Sequence, residues 1–384
     1  MSELDDVISS AVVREDMPFA VGMVGSSSGT VWSGSAGQSS PGRDAGEDTV
    51  FRIFSMTKAI GGLAAMLLVD RGKLSLDTEV ESILPEFSEV RLLESIGADG
   101  PLLRKPARRA TVRHLATHTS GFTYEFWNPL VPRFQEATGL PSILAGTRAS
   151  MFYPLTFEPG ERWDYGIGID WLGLVVQAVS GRRIDQFCQD EILKPLGMRD
   201  TAFEPDPSLG DRLAGVKIRG EDGRFADFAI APPPNPEVYG MGHALYSTAG
   251  DYLRFLRMVL NRGALDGHRI LSENGVTMML ANHIGRLKVP PLKTAAPPLT
   301  ADVDLLPGTL KTHGIAFMRF EDGAPGMRGP GSHGWAGVLN THYWLDPARD
   351  IAAVLMTQSL PFGEPRFMAT YEAFERATYR HAAG

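Results

Sequence analysis

Three places in the chain carry side chains that could arm and serve a nucleophile. The first is Ser55-Met-Thr-Lys58. Residues three apart on a helix share a face, so a hydroxyl and an amine point into the same space. The segment after it is apolar nearly all round (Ile60, Leu63, Met66, Leu67, Val69), which predicts a buried helix. A lysine at the mouth of such a helix loses hydration, and that favours its neutral form. A serine there lies near the positive end of the helix dipole. A serine hydroxyl attacks only after a base takes its proton, so the pair reads as nucleophile and activator. A Ser-x-x-Lys match occurs about once by chance in a chain of this length. The apolar entry Phe51-Arg-Ile-Phe54 and the apolar helix set this one apart from a solvated surface pair.

The second place is Tyr165, in Asp164-Tyr165-Gly-Ile-Gly168. The flanking glycines hold an irregular backbone just before a helix, and a tyrosine there can reach across a cleft and exchange a proton. The competing reading is a tyrosine that packs a loop onto the core. The third is Pro330-Gly-Ser-His333-Gly-Trp335-Ala336-Gly337-Val338. Small residues around Trp335 let a strand backbone approach a bound substrate, and edge amides there could donate to an oxyanion. Two other motifs are set aside. His114 and His118 have the spacing of a zinc-binding helix, but Leu115 stands where a metalloprotease needs Glu. Lys311-Thr-His-Gly314 precedes a strand-like run and ranks below the Trp335 segment as a catalytic element.

These residues need a scaffold of ordinary globular type. The chain has 384 residues, 43% hydrophobic and 21% charged, enough for one large or two closely joined domains. Its net charge of -8 argues against a nucleic-acid partner. A single cysteine, Cys188, permits neither an internal disulfide nor a cysteine metal cluster. The acidic start, Met1-Ser-Glu-Leu-Asp-Asp6, lacks the basic and apolar regions of a signal peptide, and no apolar run reaches membrane-spanning length. A cytoplasmic protein with no membrane partner is expected.

Helical periodicity predicts a first helix over 3–14, then two strands, 19–24 and 29–35, joined by a Gly/Ser turn. Residues from about 76 to 235 read as helical and loop-rich. They include a helix capped by Thr111, a helix from Asp170 to Val179 ended by Gly181, and one from Ile184 to Leu193 stopped by Pro195. Ala231 to Pro236 reads as a rigid break. Ser247 to Asp251 starts another helix, 285–310 a long surface loop. Strand-like runs follow at 314–320, 336–345 and 351–357, and a helix over 368–381 closes the chain. The expectation is an α+β (α/β) architecture. Residues 1–75 and 240–384 form a domain of antiparallel sheet and terminal helices, 76–239 a helical insertion, and the active site lies in the cleft between them.

With these segments in view, the chain resembles the serine β-lactamase and penicillin-binding protein superfamily, and within it the class C β-lactamase-like esterases called family VIII carboxylesterases. The resemblance rests on Phe54-Ser55-Met-Thr-Lys58, Leu115-Ala-Thr-His-Thr-Ser-Gly121, Tyr165 followed by 170–181, Pro195 to Thr201, Ser247 to Asp251, and Pro330 to Gly337. It implies Ser55 as nucleophile, Lys58 as its activator and Tyr165 as general base and proton relay. It also implies an oxyanion hole from the backbone amides of Ser55 and Val338. Trp335-Ala336-Gly337 stands where β-lactamases carry Lys-Thr-Gly. Ile167 takes the third position of Tyr-x-Asn. Losing that amide and that lysine favours a neutral ester over an anionic lactam. Phe122, Tyr124, Trp127, Trp335 and the 285–310 loop are expected to wall the substrate pockets, with His333 nearby. The resemblance implies neither metal nor cofactor, and a small-molecule ester as substrate. A β-lactamase, D-amino peptidase, amide hydrolase or acyltransferase on the same acyl-enzyme is the alternative, and a non-catalytic penicillin-binding-like sensor a third reading.

Overall fold

The computed structural model describes residues 2–383 except 206, 232, 234 and 235. A helix, α1 (Glu3–Val13), opens the chain, its first turn closed by a capping box between Ser2 and Asp5. Strands β1 (Phe19–Gly25) and β2 (Thr30–Ser40) form the expected hairpin, and a short β3 (Arg43–Asp44) follows. Five more strands come from the C-terminal third: β4 (Lys311–His313), β5 (Met318–Phe320), β6 (Ser332–Gly337), β7 (Thr341–Asp346) and β8 (Ile351–Met356). They join the N-terminal strands in one eight-stranded antiparallel sheet of order β4-β5-β6-β7-β8-β1-β2-β3.

The strands β1, β6, β7 and β8 are buried on both faces, and strand alternation divides the two cores. In β8, Ile351, Ala353 and Leu355 point to one side with Trp344, Ala20 and Val24. There they meet Leu4 and Ile8 of α1 and Phe367 and Phe374 of the last helix, α5 (Pro365–Ala383). Ala352, Val354 and Met356 point to the other side. They belong to the main core, which includes α2 (Thr57–Asp70), α3 (Gly168–Ser180) and α4 (Ala249–Leu260). α2 is buried over nearly its whole length and packs against α3. This is why its sequence is apolar all round rather than striped.

Four local expectations are corrected. The helix from Ile184 does not stop at Pro195. A five-residue π-helical stretch (Gln189–Leu193) leads into a last turn, Lys194–Leu196, where Pro195 sits in a first-turn position that needs no N–H, and Gly197 ends it. The run 314–320 is a turn plus the short β5, because Gly314–Phe317 folds back between β4 and β5. The run 336–345 is split by a tight turn whose Asn340 has φ of 61°, so β6 and β7 are separate, paired strands. Within 76–235, Leu92–Gly97 and Gly100–Arg104 form a β-hairpin, and Lys217–Arg219 pairs in parallel with Ser359–Leu360. The expected break at Ala231 to Pro236 falls largely outside the described residues. Among the described residues no helix is long and apolar enough to cross a membrane.

Candidate active site

Ser55 sits in a 3-10 turn (Phe54–Met56) that runs directly into α2. Phe54 is held at φ 41°, a left-handed conformation that an aromatic residue adopts only where its surroundings enforce it. The Ile53 amide donates to the Leu245 carbonyl at 3.1 Å, and the Thr341 hydroxyl donates to the Ile53 carbonyl at 3.4 Å. β6 presses on the same turn. A Cβ on Gly337 would stand 2.3 Å from the Ile53 carbonyl oxygen, so only glycine allows this approach. The Trp335 segment and the Ser55 turn therefore meet.

Lys58 is the centre of the polar cluster. Its side chain is 1% exposed, and its Nζ lies 3.1 Å from Ser55 Oγ, 2.9 Å from the Tyr124 hydroxyl and 2.8 Å from the Gly242 carbonyl. Desolvation lowers its pKa from 10.5 to about 7, against the opposing pull of Asp170. Asp170 is fully buried in the first turn of α3 and accepts from the Gly242 amide at 2.9 Å. A Cβ on Gly242 would lie 2.4 Å from Asp170 Oδ2. That glycine lets one backbone unit offer its N–H to the carboxylate and its carbonyl to the amine.

Tyr165 comes in from the other side. It is 4% exposed, within hydrogen-bonding reach of the Ser55 hydroxyl, and its oxygen accepts from Trp335 Nε1 at 2.9 Å. Burial pushes its pKa well above the ordinary tyrosine value, outweighing the hydrogen bonds to Ser55 and Trp335. Tyr124 is likewise driven well above the ordinary value, first by burial and then by the Asp170 charge. Both are therefore neutral phenols at physiological pH, beside an amine that titrates near neutrality.

The structure brings Ser55, Lys58, Tyr165 and Trp335 together. A narrow cavity of about 30 Å³ opens on Ser55, Tyr165 and Trp335, walled by Phe126, Trp127, Leu292, Val338 and Phe362, with Ala336 alongside, while Lys58 does not line it and meets it only through Ser55. Five residues expected at the substrate do not line it: Gly337, which abuts the Ile53 carbonyl, and the four that follow. Phe122 is turned into the core, edge-on to Phe87. Ile167 is fully buried at the start of α3. His333 points across the sheet and bonds the Leu280 carbonyl through Nε2 at 2.8 Å. Tyr124 binds the catalytic-type amine instead of facing the cavity. Two participants escaped the sequence reading, Asp170 and the Gly242 carbonyl. An acidic residue in an apolar helix was the available signal for the first.

The two histidines set aside as metal ligands share no helix face. The helix ends at Ala116, and His118 has φ 57°. His118 Nδ1 accepts from the Gly166 amide at 3.5 Å and its ring packs edge-on to Tyr165, 4.8 Å between centroids. It props the loop that carries Tyr165. Lys311 lies on the far wall of the cavity, paired with Asp304 at 2.7 Å.

The Beta-lactamase family model matches residues 4–378. Lovastatin esterase of Penicillium rubens is 31% identical over 345 residues, 87% of this chain and 84% of that one. The monacolin J acid methylbutanoyltransferase of Aspergillus terreus is 29% identical over 346 residues, 86% of this chain and 82% of that one. Among solved structures, the unliganded simvastatin synthase LovD of Aspergillus terreus superposes with a TM-score of 0.84 at 25% identity, covering 98% of this chain and 97% of that one.

Proposed function

The chain belongs to the beta-lactamase family, whose members similar to it include an esterase and acyltransferases, and we propose that it is itself a carboxylesterase. Its substrates are neutral esters of short-chain or aryl acids, cleaved through an acyl-enzyme on Ser55. The observation that carries this reading is the hydrogen bond between the buried Lys58 amine and Ser55 Oγ, in a cavity where an indole stands in place of a cation.

The proton inventory gives the mechanism. The Gly242 carbonyl can only accept, so it fixes one N–H of Lys58. A neutral amine has one more N–H, which the Tyr124 oxygen accepts. The remaining lone pair then faces Ser55 Oγ. In this reading Lys58 takes the serine proton as Oγ attacks the ester carbonyl. The negative charge that develops on the carbonyl oxygen is met by the amides of Ser55 and Val338, two residues that both line the cavity. Tyr165 keeps its proton at neutral pH and is placed to give it to the departing alkoxide, recovering it from Lys58. Water then attacks the acyl-enzyme with the same groups in reverse. Environments that push two titrating groups apart assign base and acid. Here the amine is drawn down and the phenol up.

The test compares hydrolysis of p-nitrophenyl butyrate with that of nitrocefin. Dominant ester hydrolysis, abolished in Ser55→Ala, supports the reading; dominant lactam hydrolysis, or full ester activity in Ser55→Ala, overturns it. A second reading, acyl transfer to an alcohol, is favoured by the apolar, narrow cavity, which disfavours water. Added alcohol that diverts the acyl group into a new ester at the expense of free acid would support it.

A further inference from the structure

The cavity at Ser55 has a polar stretch of wall that the acyl chemistry leaves unused. Among the described residues, the charged side chains that line it are Asp304 and Lys311. Both are held in place. Lys311 is the first residue of β4, and its side chain is 5% exposed. Its Nζ lies 2.7 Å from Asp304 Oδ1, 3.1 Å from the Thr309 carbonyl and 3.3 Å from the Leu306 carbonyl. An ammonium has three N–H donors, and these three acceptors use them all. Val303, just before Asp304, exchanges both backbone hydrogen bonds with Leu292, at 2.8 and 2.9 Å. The ion pair and the backbone pairing thus fix the carboxylate before any ligand arrives.

Asp304 keeps one oxygen free. Its side chain is 29% exposed, Lys311 occupies Oδ1, and among the described residues no donor reaches Oδ2. A carboxylate oxygen only accepts, so this part of the wall asks a ligand for a donor. An alkyl group placed against it takes water from the carboxylate and returns nothing. A ligand carboxylate is repelled by Asp304 and finds no N–H left on Lys311. An ammonium gains little, because the Asp304–Lys311 pair is already neutral and the Lys311 charge stands beside it. A hydroxyl supplies the missing donor and brings no charge.

We propose that Asp304 is a specificity-determining residue of this cavity, selecting esters that carry a free hydroxyl in addition to the ester group. The hydroxyl donates to Asp304 Oδ2 while the ester carbonyl lies at Ser55. The hydroxyl subsite rests on the ester reading above, yet the two are tested apart: binding is read in Ser55→Ala without turnover, and hydrolysis of p-nitrophenyl butyrate is read in the parent.

Two series of ligands are titrated into the full chain carrying Ser55→Ala, with ligand NMR or heat of binding as readout. Methyl ω-hydroxyalkanoates, from pentanoate to octanoate, place the hydroxyl on the acyl side. The ω-hydroxyalkyl butyrates, from ethyl to hexyl, place it on the alcohol side. Each is compared with counterparts in which the hydroxyl is replaced by methyl, by methoxy or by ammonium. In at least one series a hydroxyl ester is expected to bind at least about tenfold tighter than its methyl and methoxy counterparts, as a hydrogen bond to a charged acceptor implies. Asp304→Asn is then added. The Lys311 ammonium only donates, so the amide oxygen stays against it and the amide N–H group takes the place of Oδ2. The wall then offers a donor, and the preference for hydroxyl over methoxy is expected to fall below about threefold with the melting temperature close to that of the parent. The comparison in the Ser55→Ala protein decides by itself should the second substitution unfold the chain. No preference for hydroxyl in either series, a tighter fit of the ammonium counterpart, or a hydroxyl-over-methoxy preference that survives in a folded Asp304→Asn protein, the mark of exclusion by size, would overturn the proposal.

Discussion

The pH dependence of turnover probes the proton inventory most directly. Lys58 is brought from 10.5 to about 7 by burial, and the difference corresponds to roughly 5 kcal/mol against the charged amine. If the neutral amine is the base, kcat/KM follows its population. About one tenth of the enzyme is competent near pH 6 and about nine tenths near pH 8, so the rate rises about tenfold and then levels. A lysine at its ordinary value would give a rate that climbs about tenfold per pH unit without levelling below pH 9. Initial rates on p-nitrophenyl butyrate at constant ionic strength, followed at the isosbestic wavelength of nitrophenol, separate the two. Asp170→Asn supplies the sign. Its carboxylate holds the Lys58 pKa up, so removing the charge lets the amine lose its proton at lower pH. The acid limb should move down by about one unit. The amide oxygen still accepts from the Gly242 amide, which keeps the local backbone in place. A limb that moves upward, or a unit-slope rise with no plateau in the parent enzyme, would refute the assignment of Lys58 as base.

Other substitutions give separable outcomes. Trp335→Phe deletes the donor to the Tyr165 oxygen and should lower kcat by about tenfold or more, with the acid limb of the pH profile unmoved because Lys58 is untouched. Tyr124→Phe removes the acceptor that steers the second N–H of Lys58, so kcat should also fall about tenfold, while KM changes little because the ring does not line the cavity. Steady-state kinetics on the same ester check both. His342 bonds none of the catalytic-site groups; it is fully buried behind the cavity-wall residue Phe362, among Phe367 and Tyr371, with neither ring nitrogen bonded. Burial, aided by Arg328, lowers its pKa from 6.5 to about 3. The unfolded chain therefore binds a proton that the folded chain refuses, and stability falls as pH drops from about 6.5, by up to about 1.4 kcal/mol per unit. His342→Phe should stabilise the protein by about 1–3 kcal/mol at neutral pH and by more near pH 5, measured by urea unfolding at both. An unchanged difference between the two pH values would count against this account.

How legible these features are in the sequence depends on whether their cause is local. Ser55 and Lys58 are set by helix geometry over four residues, and the apolar flanks of α2 announce that the helix is buried. The strands β1, β2 and β8 declare themselves through length and β-branched or alternating composition. Tyr165 and Trp335 are recognisable as irregular, glycine-flanked aromatics, but their mutual hydrogen bond links residues 170 positions apart and has no trace in spacing. The same holds for Lys58 and Gly242, 184 apart. Tyr124 shows how this misleads. An aromatic-rich loop reads as a pocket wall, whereas its hydroxyl is recruited by an amine that sequence places 66 residues away. The hairpin at 92–104 was hidden because its register shifts between Leu93 and Ser95, which breaks the alternation that marks a strand. Pro195 misled for a different reason. A proline forbids an interior N–H bond, yet a π-helical stretch ahead of it resets the turn so that no such bond is required.

The environment of Lys58 also explains why a neutral aromatic at position 335 suits ester chemistry. Burial alone would take the amine lower still and make it a weaker base toward a serine proton. Asp170 offsets part of that loss, and the balance falls at about 7. The same carboxylate also raises the Tyr165 pKa, though less than burial does. A cation at position 335 would act on both groups in the opposite sense. It would lower Tyr165 toward phenolate and repel a protonated Lys58, exchanging the acid for a second base. The indole N–H supports the Tyr165 oxygen without adding charge. The site thus keeps one base and one acid on either side of Ser55. Trp335 itself adds no charge beside the ester of the proposed reaction, and the charged pair on the cavity wall, Lys311 and Asp304, is neutralised internally at 2.7 Å. Substrate charge and proton bookkeeping are therefore set by one residue, and changing Trp335 alters both together.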